Sequence, residues 1–173
     1  MLKKIAFALP LLCSFSLALA VAGCDGGEDD EHAPEKVSAN AEGCEHLAEG
    51  PSVPITASAT AAATAPAISS DHKRYDIALA DDGSGQKIGF VTFAPREAVD
   101  FVFFLGADVP LTIEDGAGGA VTVESKETSV PECTVVKARH QVALDVGTYA
   151  LRFGPTAEES VSVVVEEASG HEH

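Results

Sequence analysis

The sequence predicts an all-β fold, an antiparallel β-sandwich or jelly roll of about eight or nine strands, and three observations carry that prediction. Beyond Ser69, apolar and polar residues alternate at period two through most of the chain. The runs are broken at short intervals by Gly, Pro and Asp turn chemistry. No segment shows a convincing helical period. At 173 residues the chain has room for one domain, and with 46% hydrophobic residues, 2 Tyr, 8 Phe and 0 Trp its core is expected to be built of small and β-branched side chains.

In chain order, the first element is not part of that fold. Lys3 and Lys4 form a positive start, and from Ile5 to Ala22 the chain carries no charge, which reads as an export signal. The run is long enough to raise the alternative of a retained membrane anchor. Val21-Ala22-Gly23-Cys24 resembles the lipobox of bacterial lipoprotein signal peptides, in which small residues admit a membrane peptidase and the cysteine receives a diacylglycerol thioether. The resemblance implies removal of residues 1–23, lipidation of Cys24 with diacylglycerol and further acyl chains such as palmitate, and stable membrane attachment, since each buried methylene contributes roughly 0.8 kcal/mol. An ordinary cleaved signal ending at Ala20-Val21-Ala22 is the remaining alternative. Residues 24–43 are rich in Asp and Glu and nearly devoid of large apolar side chains, so they read as a disordered acidic tether.

The sandwich is expected over 44–167. Val53 to Ser58 is its optional first strand. Thr56 to Ala67, rich in Ala, Thr and Pro, has linker composition, but an upstream Cys44 bonded to the domain would make it an embedded loop or edge strand. Tyr75, Ile77 and Leu79 alternate with polar or small residues and run into the turn Asp81-Asp82-Gly83-Ser84-Gly85; its acids lack the alternation of a calcium loop. Ile88 to Phe93 is the next strand. Val99 to Leu105 is apolar on both faces apart from Asp100, which predicts a central strand covered on both sides. Leu111 to Glu114, a glycine turn and Val121 to Val123 predict a hairpin. Val135 to Leu144, Thr148 to Phe153 and Ser160 to Glu166 complete the set, and 168–173 form a histidine-containing tail.

Within this stretch Phe101-Val102-Phe103-Phe104, Pro110-Leu111-Thr112-Ile113-Glu114-Asp115 and Gly147-Thr148-Tyr149-Ala150-Leu151 resemble the β-sandwich modules appended to secreted bacterial peptidases, the pre-peptidase C-terminal type. That resemblance covers about half of the chain, Lys87 to Glu166, and implies a sandwich with a non-catalytic accessory role. The chain departs from the type in carrying no peptidase and in the insert around Cys133.

Four cysteines divide by compartment: Cys13 lies in the signal, Cys24 in the lipobox, and Cys44 and Cys133 remain, most simply as one disulfide in an exported domain. A loop of about 90 residues closed in this way is worth roughly 4–5 kcal/mol in the chain-entropy account. The competing possibility is a metal centre for Zn or Cu in which Cys44, His46, Cys133 and His140 act as ligands. His140 shares a strand face with Val136, Ala138, Val142 and Leu144, which equally suits a buried core histidine. His171 and His173 flank Glu172 at the end of the tail and could hold Zn, Cu or Ni weakly, or be a solvated tail. The positive cluster His72-Lys73-Arg74 could recognise an acidic partner, although pairing with neighbouring carboxylates is the simpler expectation.

With 11 Lys+Arg against 27 Asp+Glu the net charge is −16, which excludes a nucleic-acid partner for want of a basic face. No nucleophile elbow, zinc-protease helix motif, phosphate loop or dinucleotide fingerprint occurs. The expectation is a non-enzymatic lipoprotein without a cofactor. It is exported, held at the outer membrane or cell surface (Asp25 after the lipobox leaves the inner membrane possible), and presents a sandwich to a protein or glycan partner; metal binding is the alternative.

Overall fold

A computed structural model describes residues 37–170. The signal peptide, Cys24, the acidic stretch up to residue 36, and His171 and His173 lie outside the described residues. The elements are α1 (Ala39–Glu49), β1 (Ser52–Thr56), β2 (Ala67–Ile68), β3 (Arg74–Ala78), β4 (Ala80–Asp81), β5 (Lys87–Phe93), β6 (Val99–Leu105), β7 (Leu111–Glu114), β8 (Ser125–Glu127), β9 (Ala138–Leu144), β10 (Tyr149–Thr156) and β11 (Ser160–Glu167). They build the expected β-sandwich.

One sheet has the order β1-β3-β11-β6-β9-β8; the other has β2-β5-β10-β7, with β4 pairing to β5. Both are mixed rather than purely antiparallel, because β1 runs parallel to β3 and β2 parallel to β5. Those two additions embed the linker-like segment: Ala57 donates to the Ala78 carbonyl, Ser58 bridges Phe90 and Ala65 is buried. Between the sheets, alternate residues interdigitate, Phe101, Phe103 and Leu105 of β6 and Val161, Val163 and Val165 of β11 meeting Val91 and Phe93 of β5 and Leu151 and Phe153 of β10. Phe93 lies edge-on to both Phe101 and Phe103, with ring centroids 5.1 and 5.5 Å apart.

Two expectations are corrected. The hairpin after Leu111 closes through Asp115, whose backbone N–H donates to the Gly119 carbonyl, but the return pairs only at Ala120 and Val121 before the chain leaves for the other sheet. The segment expected to be a disordered tether up to Gly43 contains the start of α1. Ser38 caps the helix by accepting from the Ala41 N–H, so the folded region begins before Cys44.

Helix α1 lies on the outer face of the six-stranded sheet, against β11 and β6. It explains why β6 is apolar on both sides. Phe101 and Phe103 face inward, while Val102 and Phe104, with Val164 of β11, form a second core with Ala39, Cys44, Leu47, Val130 and Val136. Contact is close enough to require glycine at 43, since a Cβ there would lie 2.4 Å from two ring carbons of Phe104. The Cys44–Cys133 disulfide fastens the helix to the segment between β8 and β9.

Candidate functional site

The other end of α1 carries the site. Strand β11 alternates: Val161, Val163 and Val165 enter the inter-sheet core, and Ser162, Val164 and Glu166 turn to the helix side. Glu166 is therefore placed under the helix, cross-strand from Val102, with a side chain that is 0% exposed. His46, in the last turn of α1, brings Nδ1 to 2.7 Å from Glu166 Oε1, and His72 brings Nδ1 to 3.2 Å from Oε2. The two imidazoles are 5.0 Å apart between centroids, tilted by 57°. One donor atom from each of the three residues falls within 4.8 Å of the others. Glu42, one helical turn before His46 and itself buried, adds a second carboxylate whose field reaches Glu166.

Each residue is held by identifiable contacts. Arg74, at the start of β3, donates to the Leu47 and Ala48 carbonyls and so satisfies the end of α1 while pairing with Asp76. Asp76 also accepts from Ser52 and Ser162; these hydroxyls and Arg74 overcome the opposing effect of partial burial and hold its carboxyl below the usual range. Two residues before Arg74, His72 has φ 57°, making it the one non-glycine residue with positive φ among the described residues. That conformation costs a β-carbon-bearing residue roughly 1–2 kcal/mol. The loop that imposes it is tied by Asp71, which accepts from the Tyr75 hydroxyl at 2.7 Å and from Lys73 at 2.6 Å. The positive cluster of the sequence is thus paired with carboxylates residue by residue: His72 with Glu166, Lys73 with Asp71 and Arg74 with Asp76.

Electrostatically the centre is strained. Burial pushes the Glu166 carboxyl above the usual carboxylate range, Glu42 adds to that push, and the hydrogen bond from His46 with the fields of both imidazoles opposes it. A buried carboxylate pair of this kind is a costly way to hold a helix on a sheet, since apolar residues of similar volume do so at least as well. A displaced carboxyl that also faces two imidazoles, unlike a displaced group enclosed by apolar side chains, has partners for chemistry.

The predicted ligand set is redistributed. Cys44 and Cys133 are joined in a disulfide, so neither offers a thiolate, and the Cys-Cys-His-His centre is not formed. His140 points into the inter-sheet core with Ala138, Val142 and Leu144, on the opposite side of the sheet from α1. It is 2% exposed, and burial pushes its imidazole down to about 4. Of the described candidates, His46 alone belongs to the cluster. His72, Glu166 and Glu42 escaped sequence reasoning as parts of a positive patch, a strand end and a tether. One usable signal was present: Val164 and Val102 are apolar on faces that an uncovered sheet would leave polar, which marks Glu166, on the same face as Val164, as covered.

No protein-family model matches the chain, and no curated protein matches it. The functional reading rests on the residues themselves.

Proposed function

We propose that this is an exported, lipid-anchored, non-enzymatic binding protein whose working centre is the His46–Glu166–His72 cluster beneath α1. The single observation that carries the binding assignment is Glu166, a carboxylate with no exposed surface between two imidazoles, on a strand where it directly follows Val163, Val164 and Val165. The anchoring assignment is supported by the lipobox resemblance of Val21-Ala22-Gly23-Cys24 and by the acidic stretch that follows it. In this reading lipid at Cys24 holds the chain to the membrane, the acidic segment spaces the sandwich from it by self-repulsion, and the domain captures its ligand there. The accessory role implied by the pre-peptidase resemblance agrees with a sandwich that binds rather than catalyses. The geometry favours a small ligand over a protein or glycan partner, because the Glu166 carboxyl lies under the helix with no exposed surface.

Membrane fractionation tests the anchor. Wild-type protein is expected in the membrane fraction and Cys24→Ala in the soluble exported fraction; retention of Cys24→Ala at the membrane would overturn the lipid assignment.

A further inference from the structure

Resting on the reading of this cluster as the binding centre, we propose that it is a site for one divalent d-block cation, zinc or copper(II). The ligands are Nδ1 of His46, Nδ1 of His72 and the Glu166 carboxylate, with Glu42 as the neighbouring second negative charge. The first argument is distance. A tetrahedral ion with bonds of about 2.0–2.1 Å needs donors roughly 3.4 Å apart. The two histidine-to-carboxylate separations are 2.7 and 3.2 Å, and the full donor set lies within 4.8 Å. Seating an ion therefore requires the imidazoles to withdraw from the carboxylate oxygens they face by roughly 0.2–0.7 Å and the two imidazole donors, now within 4.8 Å of each other, to settle at about 3.4 Å.

Charge and donor type narrow the class. Glu166 and Glu42 are both buried, and the field of Glu42 reaches Glu166, so a dication seated at Glu166 compensates two like charges at once. An anion is disfavoured by the same carboxylates. Two imidazole nitrogens suit zinc, copper(II) and nickel, whereas calcium and magnesium need oxygen shells that this cluster does not offer. Copper(I) would draw on thiolates, and both described cysteines are consumed in the disulfide.

The supports have the character of a preorganised site. The ligands come from three elements, each fixed independently: α1 by the disulfide and by Arg74, the His72 loop by Asp71 and Tyr75, and Glu166 by the β11 ladder. The left-handed conformation of His72 is the feature a merely structural ion pair would not need, since it aims an imidazole at a carboxylate already engaged by His46. Exposure is graded across the ligands, with side chains 0% exposed at Glu166, 19% at His46 and 41% at His72, so an ion enters from the His72 edge and the fourth position faces that edge.

The test titrates the intact chain, stripped with a chelator, with Zn²⁺ and Cu²⁺, and with Ca²⁺ and Mg²⁺ as controls, by calorimetry. One Zn²⁺ or Cu²⁺ per chain and no response to Ca²⁺ or Mg²⁺ is the expected result. His72→Asn, whose side chain tolerates positive φ, and Glu166→Gln should each weaken binding at least about tenfold, because loss of groups merely supporting a ligand already costs 10–100-fold. A triple variant His32→Ala, His171→Ala, His173→Ala should bind as wild type. Absence of stoichiometric binding, or binding abolished by the triple variant and kept by His72→Asn, would overturn the proposal. Circular dichroism of metal-free His72→Asn guards against misfolding, and a folded variant with wild-type affinity counts against the site. The fractionation of Cys24→Ala reads out separately. A membrane-anchored protein that binds no metal would leave the anchor and remove the cation, and a metal-binding protein indifferent to Cys24→Ala would do the reverse.

Discussion

The two faces of the six-stranded sheet are made by the same strands and differ in kind. The inner face, against the second sheet, is filled mainly by phenylalanine, leucine and valine, and burial favours the neutral form of its histidine, His140. The outer face repeats the apolar pattern only as far as Val102, Phe104 and Val164, then turns at Glu166 and Glu42 to buried carboxyl groups under a helix, with the half-buried His46 beside them. Burial alone does not make a site. On the inner face it extinguishes a charge, and on the outer face it gathers carboxyl groups and imidazoles around one point.

The largest expected effects separate the two cores. Phe103→Ala and Phe104→Ala remove side chains that are both 0% exposed, and each should cost about 3–5 kcal/mol in denaturant unfolding. Only Phe104→Ala should also weaken Zn²⁺ binding, because Phe104 seats the helix at Gly43; equal effects on binding would erase the distinction between the faces. Replacing Cys44 and Cys133 together by Ala should cost about 2–5 kcal/mol.

His140 sharpens the inner-face side. Its imidazole is lowered from 6.5 to about 4, so the folded state prefers the neutral form, and the resulting stability is complete above pH 6.5 and lost as pH falls toward 4. The full loss corresponds to ~3 kcal/mol. His140→Leu should flatten the stability profile across that window, measured by urea unfolding, without changing metal affinity.

Glu166 behaves in the opposite sense. A carboxyl raised in the folded state costs folding free energy when it ionises, so metal-free wild-type protein should lose stability as pH rises through the raised value, and Glu166→Gln should not. The smallest effect is that of His72→Asn on metal-free stability, expected within about 0.5 kcal/mol because the replacement keeps the positive φ. A larger loss would make His72 a structural residue first.

Period-two alternation and turn chemistry made the sandwich legible from β3 onward, and compartment made the disulfide legible, because these signals are local. Helix α1 was not, for physical reasons. Its buried face is Ala39, Glu42, Gly43, Cys44 and Leu47, small or charged residues with little amphipathic contrast, and it owes its place to Phe104 and Cys133, which are distant in sequence. The centre was legible only in part. His46 stood out beside Cys44, but His72, Glu42 and Glu166 come from a loop, a helix start and a strand end that only the β3-β11-β6 ladder and the covering helix bring together.

X-ray absorption at the zinc edge of the Zn²⁺-loaded protein tests the central claim most directly. The account predicts a first shell of nitrogen and oxygen near about 2.0 Å, with outer-shell scattering from two imidazoles that falls to one in His72→Asn. Sulfur at about 2.3 Å, or an imidazole signal unchanged in His72→Asn, would contradict it.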